Sequence, residues 1–521
     1  RESETIEVSY NGVMQWFPRL NKLEWIVIFS LVAVYFTLTL TNLTKLPIFV
    51  DEAIYLRWAQ IAWHDASWRF ISLTDGKQPL YTWFVIPFMK LLSDPLAAGR
   101  TASVVTGLFT VLGMGYLGWL IEGKKTALMA IILAMFSPYL FFYYRFGVME
   151  SMLVAGSIWV CNFSILLARS RRLDVAMILG MITGATILTK SSGMFFLLLI
   201  PAAYLLDFNY KKVLNKSTYK YLGLVLVSWA IAGVMYNVQR LSPWMHMIGQ
   251  KNAFFIVAYS EIFQEFGRLS NNFLDVWRWQ ISYTTIPILL VSLLGFYLIF
   301  RKNWKLSLFL SAWLFGPMLG TILLARLFAP RYIIFVTPFI LLFAAYALSA
   351  IKNIKHAIII LFSITLLPIY LITRLIIDPI HFPYTNVDEG YVNGWSAGNG
   401  TKQIADWAVD RINSTGMPMT IFTEGTFGIL PHGLELYADG RTTQLTITGL
   451  YPINEIPPIQ TLKAIATNPE TYFILNNTEK KEVPQGLEFI ASYPKLRDNP
   501  MNLYRVLPAS PDSSLGGPPA K

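Results

Sequence analysis

The stretch Leu80-Tyr-Thr-Trp-Phe-Val-Ile-Pro-Phe-Met-Lys-Leu-Leu92 decides the fold. It is apolar, yet at about 13 residues it falls short of the roughly 20 that a helix needs to cross a hydrocarbon core. It also carries Lys90. It therefore reads as an interfacial or re-entrant helix rather than a span. Every polar loop that follows takes its side of the membrane from this reading, because a crossing at 80–92 would flip each basic loop from 122 to 220.

Outward from that stretch, the apolar residues arrive in longer blocks. Of the 521 residues, 54% are hydrophobic and 14% charged, with a mean hydropathy of +0.47. Soluble domains carry about 25% charged residues, so lipid must be part of this chain's solvent. The clearest blocks are 25–43, 98–121, 147–168, 219–238, 281–300, 306–325, 331–350 and 356–373. Arg19 and Lys22 flank the first block and suit a retained anchor that starts inside. Between blocks lie Glu122-Gly-Lys-Lys125, Arg169-Ser-Arg-Arg172, Tyr210-Lys-Lys212, Arg301-Lys-Asn-Trp-Lys305 and Lys352 to His356. Short loops rich in Lys and Arg stay cytoplasmic. One arrangement satisfies all of them: 1–24 inside, a crossing at 25–43, an outer loop 44–97, and a return at 98–121. Alternation then runs through 127–143, 147–168, 174–190, 192–207, 219–238, 281–300, 306–325, 331–350 and 356–373. The expected fold class is thus a polytopic α-helical membrane protein with about eleven transmembrane helices, a transmembrane domain over 25–375 and a multi-pass place in the cell membrane.

A second outer loop spans 240–280, and 376–508 has ordinary soluble composition. Within it the patterns predict helix 402–412, strand 418–423, strand 442–448, helix 459–466, strand 471–476 and strands near 487–492 and 501–506. That is an extracytoplasmic α/β domain. The tail 509–521 is rich in Pro, Gly and Ser and reads as disordered. The net charge of +11 sits in the short loops, where it sets topology, so no nucleic-acid partner is implied. The single cysteine, Cys161, excludes an internal disulfide and a cysteine metal cluster.

The polar residues that carry chemistry lie at span ends. Asp51 and Glu52 follow the first span directly; the plain alternative is a solvated helix N-terminus, where carboxylates are favoured. Glu150 opens a later span on the same side, with Arg145 as the ion-pair partner that a structural role would give it. Lys77, Lys190 and Arg331 occupy three separate outer turns, against the positive-inside tendency. Cations placed so want an anion, and a phosphate at the membrane surface supplies one; snorkelling is the plain alternative. His246 reads as a ligand, an acid–base group or a packed loop histidine. The aromatic residues of 240–280 suit an interfacial belt or a lipid or sugar contact.

Taken in order, Asp51-Glu-Ala-Ile-Tyr55, Lys77-Gln-Pro-Leu-Tyr-Thr-Trp83, Arg145 with Glu150, Leu188-Thr-Lys190 and Pro330-Arg-Tyr332 resemble the GT-C membrane glycosyltransferases. Within these, the chain looks like the bacterial relatives of protein O-mannosyltransferases and of the lipid A aminoarabinose transferase, over about residues 20–375. The resemblance implies transfer of a sugar from a polyprenyl-phosphate donor, on the outer face and with inversion, to a lipid, glycan or protein acceptor. It makes Asp51 the general base with Glu52 beside it, and gives Glu150 a part in shaping the catalytic site. It sets Lys77, Lys190, Arg331, Tyr332 and Arg145 around the donor phosphate, with Tyr55 and Tyr81 lining the substrate pocket. Two departures stand out: Gln78 replaces the family's first proline, and Gly76 replaces a metal-site glutamate. No metal is carried over, and no other cofactor is implied.

Chemistry agrees with that assignment. Glycosyl transfer passes through an oxocarbenium-like state, and inversion needs a carboxylate base on the acceptor opposite the leaving group. A phosphate leaving group needs charge stabilisation more than an acid, which suits lysine and arginine. The rival from another class is a transporter or flippase of lipid-linked sugars, which calls for charged or broken helices at mid-membrane. A receptor or scaffold would explain 378–508 but not the five ordered motifs.

Overall fold

The computed structural model describes residues 18–207, 215–476 and 482–508; the expectations for the 509–521 tail and for Tyr210-Lys-Lys212 fall outside them. The chain divides into two compact units. One comprises the described residues of Arg1–Leu43, Ile61–Phe88 and Gly99–Thr385, the other those of Thr44–Gln60, Met89–Ala98 and Asn386–Lys521.

The first unit is helical. Among the described residues, six helices are long and apolar enough to cross a membrane: Lys22–Leu40, Pro95–Glu122, Glu150–Ser170, Lys216–Leu241, Trp304–Leu324 and Ile354–Ile377. Two bent pairs raise the number to eight. Lys124–Met135 and Pro138–Tyr144 meet at 66°, Phe266–Thr284 and Ile286–Lys302 at 109°. Each bend has a local cause. Pro138 lacks an N–H and opens a new helix, with the Ser137 hydroxyl accepting the Leu140 N–H. Thr285 breaks the second pair with φ +74°. The expected spans 174–190, 192–207 and 331–350 are the shorter apolar helices Leu173–Thr189, Ser191–Asp207 and Ile334–Ala350. By length and composition the described residues thus supply six spans, or up to eight if each bent pair is one span, and the expected count of eleven is not confirmed. The deciding stretch is the helix Leu80–Leu91, 12 residues long.

Polar bridges and close approach hold these helices together, as expected where lipid removes most of the hydrophobic drive. Ser228 Oγ donates to the Ala176 carbonyl (2.8 Å), Asn162 Nδ2 to that of Gly113 (3.0 Å), and Ser292 Oγ to that of Ile340 (2.8 Å). Gly295 lies so close to the Phe343 backbone that a Cβ there would overlap its carbonyl.

The second unit contains a five-stranded sheet: β1 (Met419–Glu424), β2 (Leu445–Leu450), β3 (Thr471–Leu475), β4 (Leu487–Tyr493) and β5 (Met501–Val506), in the order β2-β1-β3-β5-β4. β1 runs parallel to β2 and β3, while β5 is antiparallel to β3 and β4. One core gathers Phe422, Phe473, Leu475, Leu487, Tyr504 and Val506. Helix Thr401–Thr415 buries Ile404, Ala405, Ala408, Val409 and Ile412, one stripe at helical spacing, and ends at Gly416 in the left-handed region. The segment Ile48–Gln60 belongs to this unit by hydrogen bonding. The Val50 N–H donates to the Ser396 carbonyl (3.0 Å), and the Gly398 N–H to that of Ile48 (2.8 Å).

Candidate active site

In the transmembrane unit four cations meet around two aromatic rings. Lys190 follows helix Leu173–Thr189 in extended backbone. Its Nζ lies 2.7 Å from Glu150 Oε1 and 4.7 Å from the centre of the Tyr332 ring. Glu150 is the first residue of its helix and almost fully buried. Arg331 packs its guanidinium 5.2 Å from the same Tyr332 ring. That ring meets Phe255 edge-on at 6.5 Å. Lys77 and Lys251 place their ammonium groups 5.1 and 5.6 Å from the Phe255 ring. Besides the Glu150–Lys190 pair, Asp75 Oδ1 lies 2.5 Å from Lys251 Nζ.

The backbone explains how five distant segments converge. Gly76 has φ +65°, and a Cβ there would stand 2.5 Å from the Met247 carbonyl oxygen. Only glycine lets the Lys77 turn approach helix Met247–Phe255 so closely. The turn is closed by the Lys77 N–H donating to the Ser72 carbonyl, and Gln78 Nε2 donates to Ser191 Oγ at 3.3 Å. Across the cluster, the Arg326 N–H donates to the Phe255 carbonyl (2.8 Å) and the Val257 N–H to that of Leu324 (2.9 Å). Arg268 caps the helix beneath by donating to the Leu323 and Ala325 carbonyls. Tyr139 Oη holds the Pro330 carbonyl at 2.7 Å, which fixes the start of the Pro330–Tyr332 turn.

Such an arrangement suits a phosphate. Cation–π contact with two rings spreads the positive charges over a small area without letting them repel one another apart. Lys190 stays about a fifth exposed, so its partnership with Glu150 leaves donors for a ligand.

Other residues singled out in the sequence stand elsewhere. Arg145 donates to the Thr41 carbonyl (2.6 Å) and faces the Phe141 ring, while buried Arg100 donates to the Leu43 carbonyl (2.9 Å). Both neutralise the carbonyl end of the first span. The pairing of Glu150 is therefore with Lys190, forty residues on, rather than with Arg145. Tyr81 is buried, with its hydroxyl between the Gly99 carbonyl and Ser103 Oγ. His246 is exposed, its Nδ1 3.0 Å from the Pro243 carbonyl. Lys251 and Phe255 join the cluster although sequence reading had not assigned them to phosphate. A lysine four residues before a phenylalanine in an aromatic loop is the faint signal that was there.

In the second unit, Asp51 and Glu52 lie in the first turn of helix Val50–His64. Glu52 is fully buried and its Oε2 accepts the Phe49 N–H at 3.1 Å, the geometry of a helix cap. Asp51 is partly exposed. Tyr55 is buried against Trp58. One turn further on, Arg57 pairs with Glu435 (3.3 Å) and Asp439 (2.9 Å), and Gln60 Nε2 donates to the Leu436 carbonyl (2.9 Å). The helix that carries Asp51 is thus anchored on the C-terminal domain. Among the described residues no cluster of three or more His, Cys, Asp or Glu side chains could hold a metal ion.

The chain has the GT-C fold, the architecture of membrane glycosyltransferases. Residues 76–236, which hold Lys77, Arg145, Glu150 and Lys190, match the family model described as dolichyl-phosphate-mannose-protein mannosyltransferase. Among solved structures, ArnT from Cupriavidus metallidurans in the apo state is similar at a TM-score of 0.58 and 15% identity, covering 92% of this chain and 97% of that one. The same protein bound to undecaprenyl phosphate gives 0.55 and 15%, over 93% and 98%. None of the curated proteins matches the chain.

Proposed function

We propose that the chain is a glycosyltransferase that takes a sugar from a polyprenyl-phosphate-linked donor and passes it to an acceptor at the outer face of the membrane. The cluster of Lys77, Lys190, Lys251 and Arg331 around Phe255 and Tyr332 carries this reading. ArnT, of the same fold, has been solved with undecaprenyl phosphate, which supports a lipid phosphate as the cluster's ligand. The transporter reading gains nothing from either the matched family or the fold.

The acceptor hydroxyl oxygen attacks the sugar C1, and the C1–O bond to phosphate breaks with its electron pair leaving on the phosphate. The acceptor proton goes to a carboxylate, assigned to Asp51 by the sequence motif, and the configuration at C1 inverts. The departing phosphate gains negative charge, so cations held in place before reaction stabilise the transition state more than the ground state. Glu150 keeps Lys190 aimed through their 2.7 Å pair and so helps shape the site. The short basic loops, which favour the cytoplasmic side, support a reaction and a C-terminal domain outside, in a multi-pass membrane protein. Acceptors compatible with the chemistry are a lipid, a glycan or a protein hydroxyl.

Asp51→Asn tests the assignment of the base. Transfer should fall by about 10³-fold or more while undecaprenyl phosphate binding is retained, since general-base catalysis contributes roughly 10²–10⁴. Near-normal turnover would remove Asp51 from the mechanism.

A further inference from the structure

A cavity of about 620 Å³ opens in the C-terminal unit, within the roughly 300–1,000 Å³ of ligand sites. Its position follows from the topology. Glu424 ends β1, Leu450 ends β2, and Tyr451 leaves directly from β2 into the cavity wall. β1 lies between β2 and β3 and parallel to both, so the two connections diverge at its carboxyl end. A crevice outside the carboxyl ends of parallel strands at such a divergence is where open α/β sheets bind ligands.

The walls are unusual for a surface facing water. Trp395, Phe427 and Tyr451 line the cavity and are 57%, 47% and 79% exposed. The same walls carry the carboxylates Glu424 and Glu455 and the amide Asn454, and none of the described lining residues is Lys, Arg or His. Two polar contacts make the wall rigid. Glu424 Oε2 accepts the Asn476 N–H at 2.7 Å, and Asn476 Nδ2 donates to the Trp395 carbonyl at 2.7 Å.

We propose that this cavity is a saccharide-binding site for neutral or amino-bearing sugars. A sugar ring has faces of polarised C–H groups, which stack on aromatic faces, and a rim of hydroxyls that donate to carboxylate and amide oxygens. Exposed rings and hydrogen-bond acceptors in one cavity wall complement both features. Buried Lys495 spends its ammonium on the carbonyls of Gly394 and Asn476 and on Asn476 Oδ1, behind the wall and on the side of Glu424, so a phosphosugar, a uronic acid or an anionic lipid headgroup still brings its negative charge against the exposed Glu455. An acyl tail would take water from the exposed Glu455 carboxylate and offer it no hydrogen bond in return. An amine on the sugar instead gains from Glu455. The site is separate from the transferase reading, because binding requires neither donor nor Asp51.

The intact protein in detergent micelles tests this with three probes: maltotriose, chitosan trisaccharide and trigalacturonate, followed by saturation-transfer NMR and tryptophan fluorescence. The neutral and the amino trisaccharide should bind, the amino one more tightly, and the acidic one should not. Tyr451→Ala and Trp395→Ala should each weaken binding about tenfold or more, as loss of an aromatic anchor does, with thermal unfolding unchanged. Glu455→Gln should erase the preference for the amino sugar, and Asp51→Asn should change nothing. The proposal is overturned if neither neutral nor amino trisaccharide binds the folded protein. It is equally overturned if both ring variants bind as the parent does, or if trigalacturonate binds best.

Discussion

Lys190 holds its ammonium 2.7 Å from the buried carboxylate of Glu150, and the same ammonium faces the Tyr332 ring at 4.7 Å. A carboxylate in this position compensates the desolvation of the lysine and fixes its direction, so the positive charge is already oriented when an anion arrives. Two roles separate on mutation. Glu150→Ala leaves a partly buried cation without its partner and should destabilise the fold by about 3 kcal/mol, the lower end for a broken buried pair, because Lys190 keeps some water. Glu150→Gln keeps a hydrogen-bond acceptor and should spare the fold while lowering kcat/KM about tenfold. Thermal unfolding and steady-state kinetics on both variants check this; equal kinetics for Gln and Glu would make Glu150 purely structural.

Glu52 and Asp51 are neighbours with different duties. Glu52 is fully buried and accepts the Phe49 N–H, so Glu52→Ala should cost about 1–2 kcal/mol, as loss of a helix cap does. Glu52→Gln should keep most of the activity. Comparing its turnover with that of Asp51→Asn identifies which carboxylate takes the proton.

The C-terminal domain carries an acid-sensitive tie. Glu470 is buried, receives hydrogen bonds from Arg411 (2.9 Å) and from Tyr472 Oη (2.8 Å), and lies 3.8 Å from Arg505. The Arg411 hydrogen bond, opposed by burial and aided by Tyr472, holds its carboxyl below the usual glutamate range. A depressed carboxylate contributes stability that is present above its unfolded pKa, near 4.5, and is lost as pH falls through its lower folded value. The protection of the β3 amides in the intact protein, measured as the ratio of intrinsic to observed exchange rate at each pH, should therefore fall on going from pH 5 to lower pH. Glu470→Gln, already weakened at pH 7, should show a flatter dependence over the same range.

Much of this was legible in the sequence, for reasons that differ by element. All five strands and the helices at 401–415 and 459–465 announce themselves by period and by breakers. The short helix His432–Ala438 did not, because Gly425, Gly428, Pro431 and Gly433 disguise it as a loop. The Leu80–Leu91 helix was readable from length alone. The two bends were not: Ser137-Pro138 breaks the expected span 127–143, and Thr285 joins Ile286–Lys302 to the helix Phe266–Thr284, most of which lies in the stretch read as the outer loop 240–280. In the site, Lys77, Lys190 and Arg331 stood out as cations against the topology rule. Lys251 did not, since its relation to Lys77 depends on a close approach at Gly76 across about 170 residues. Nor does any pattern near Asp51 show that Ile48–Gln60 hydrogen-bonds to residues some 350 positions away.

The most direct test of the donor site is binding of undecaprenyl phosphate to the intact protein, measured by native mass spectrometry for the parent chain, Lys77→Met, Lys190→Met and Asp51→Asn. Each lost cation should weaken binding about tenfold or more, the scale of a charge-assisted contact to phosphate of roughly 1.5–3 kcal/mol. Asp51→Asn should bind like the parent. Unchanged affinity in both lysine variants would contradict a donor phosphate seated between Phe255 and Tyr332.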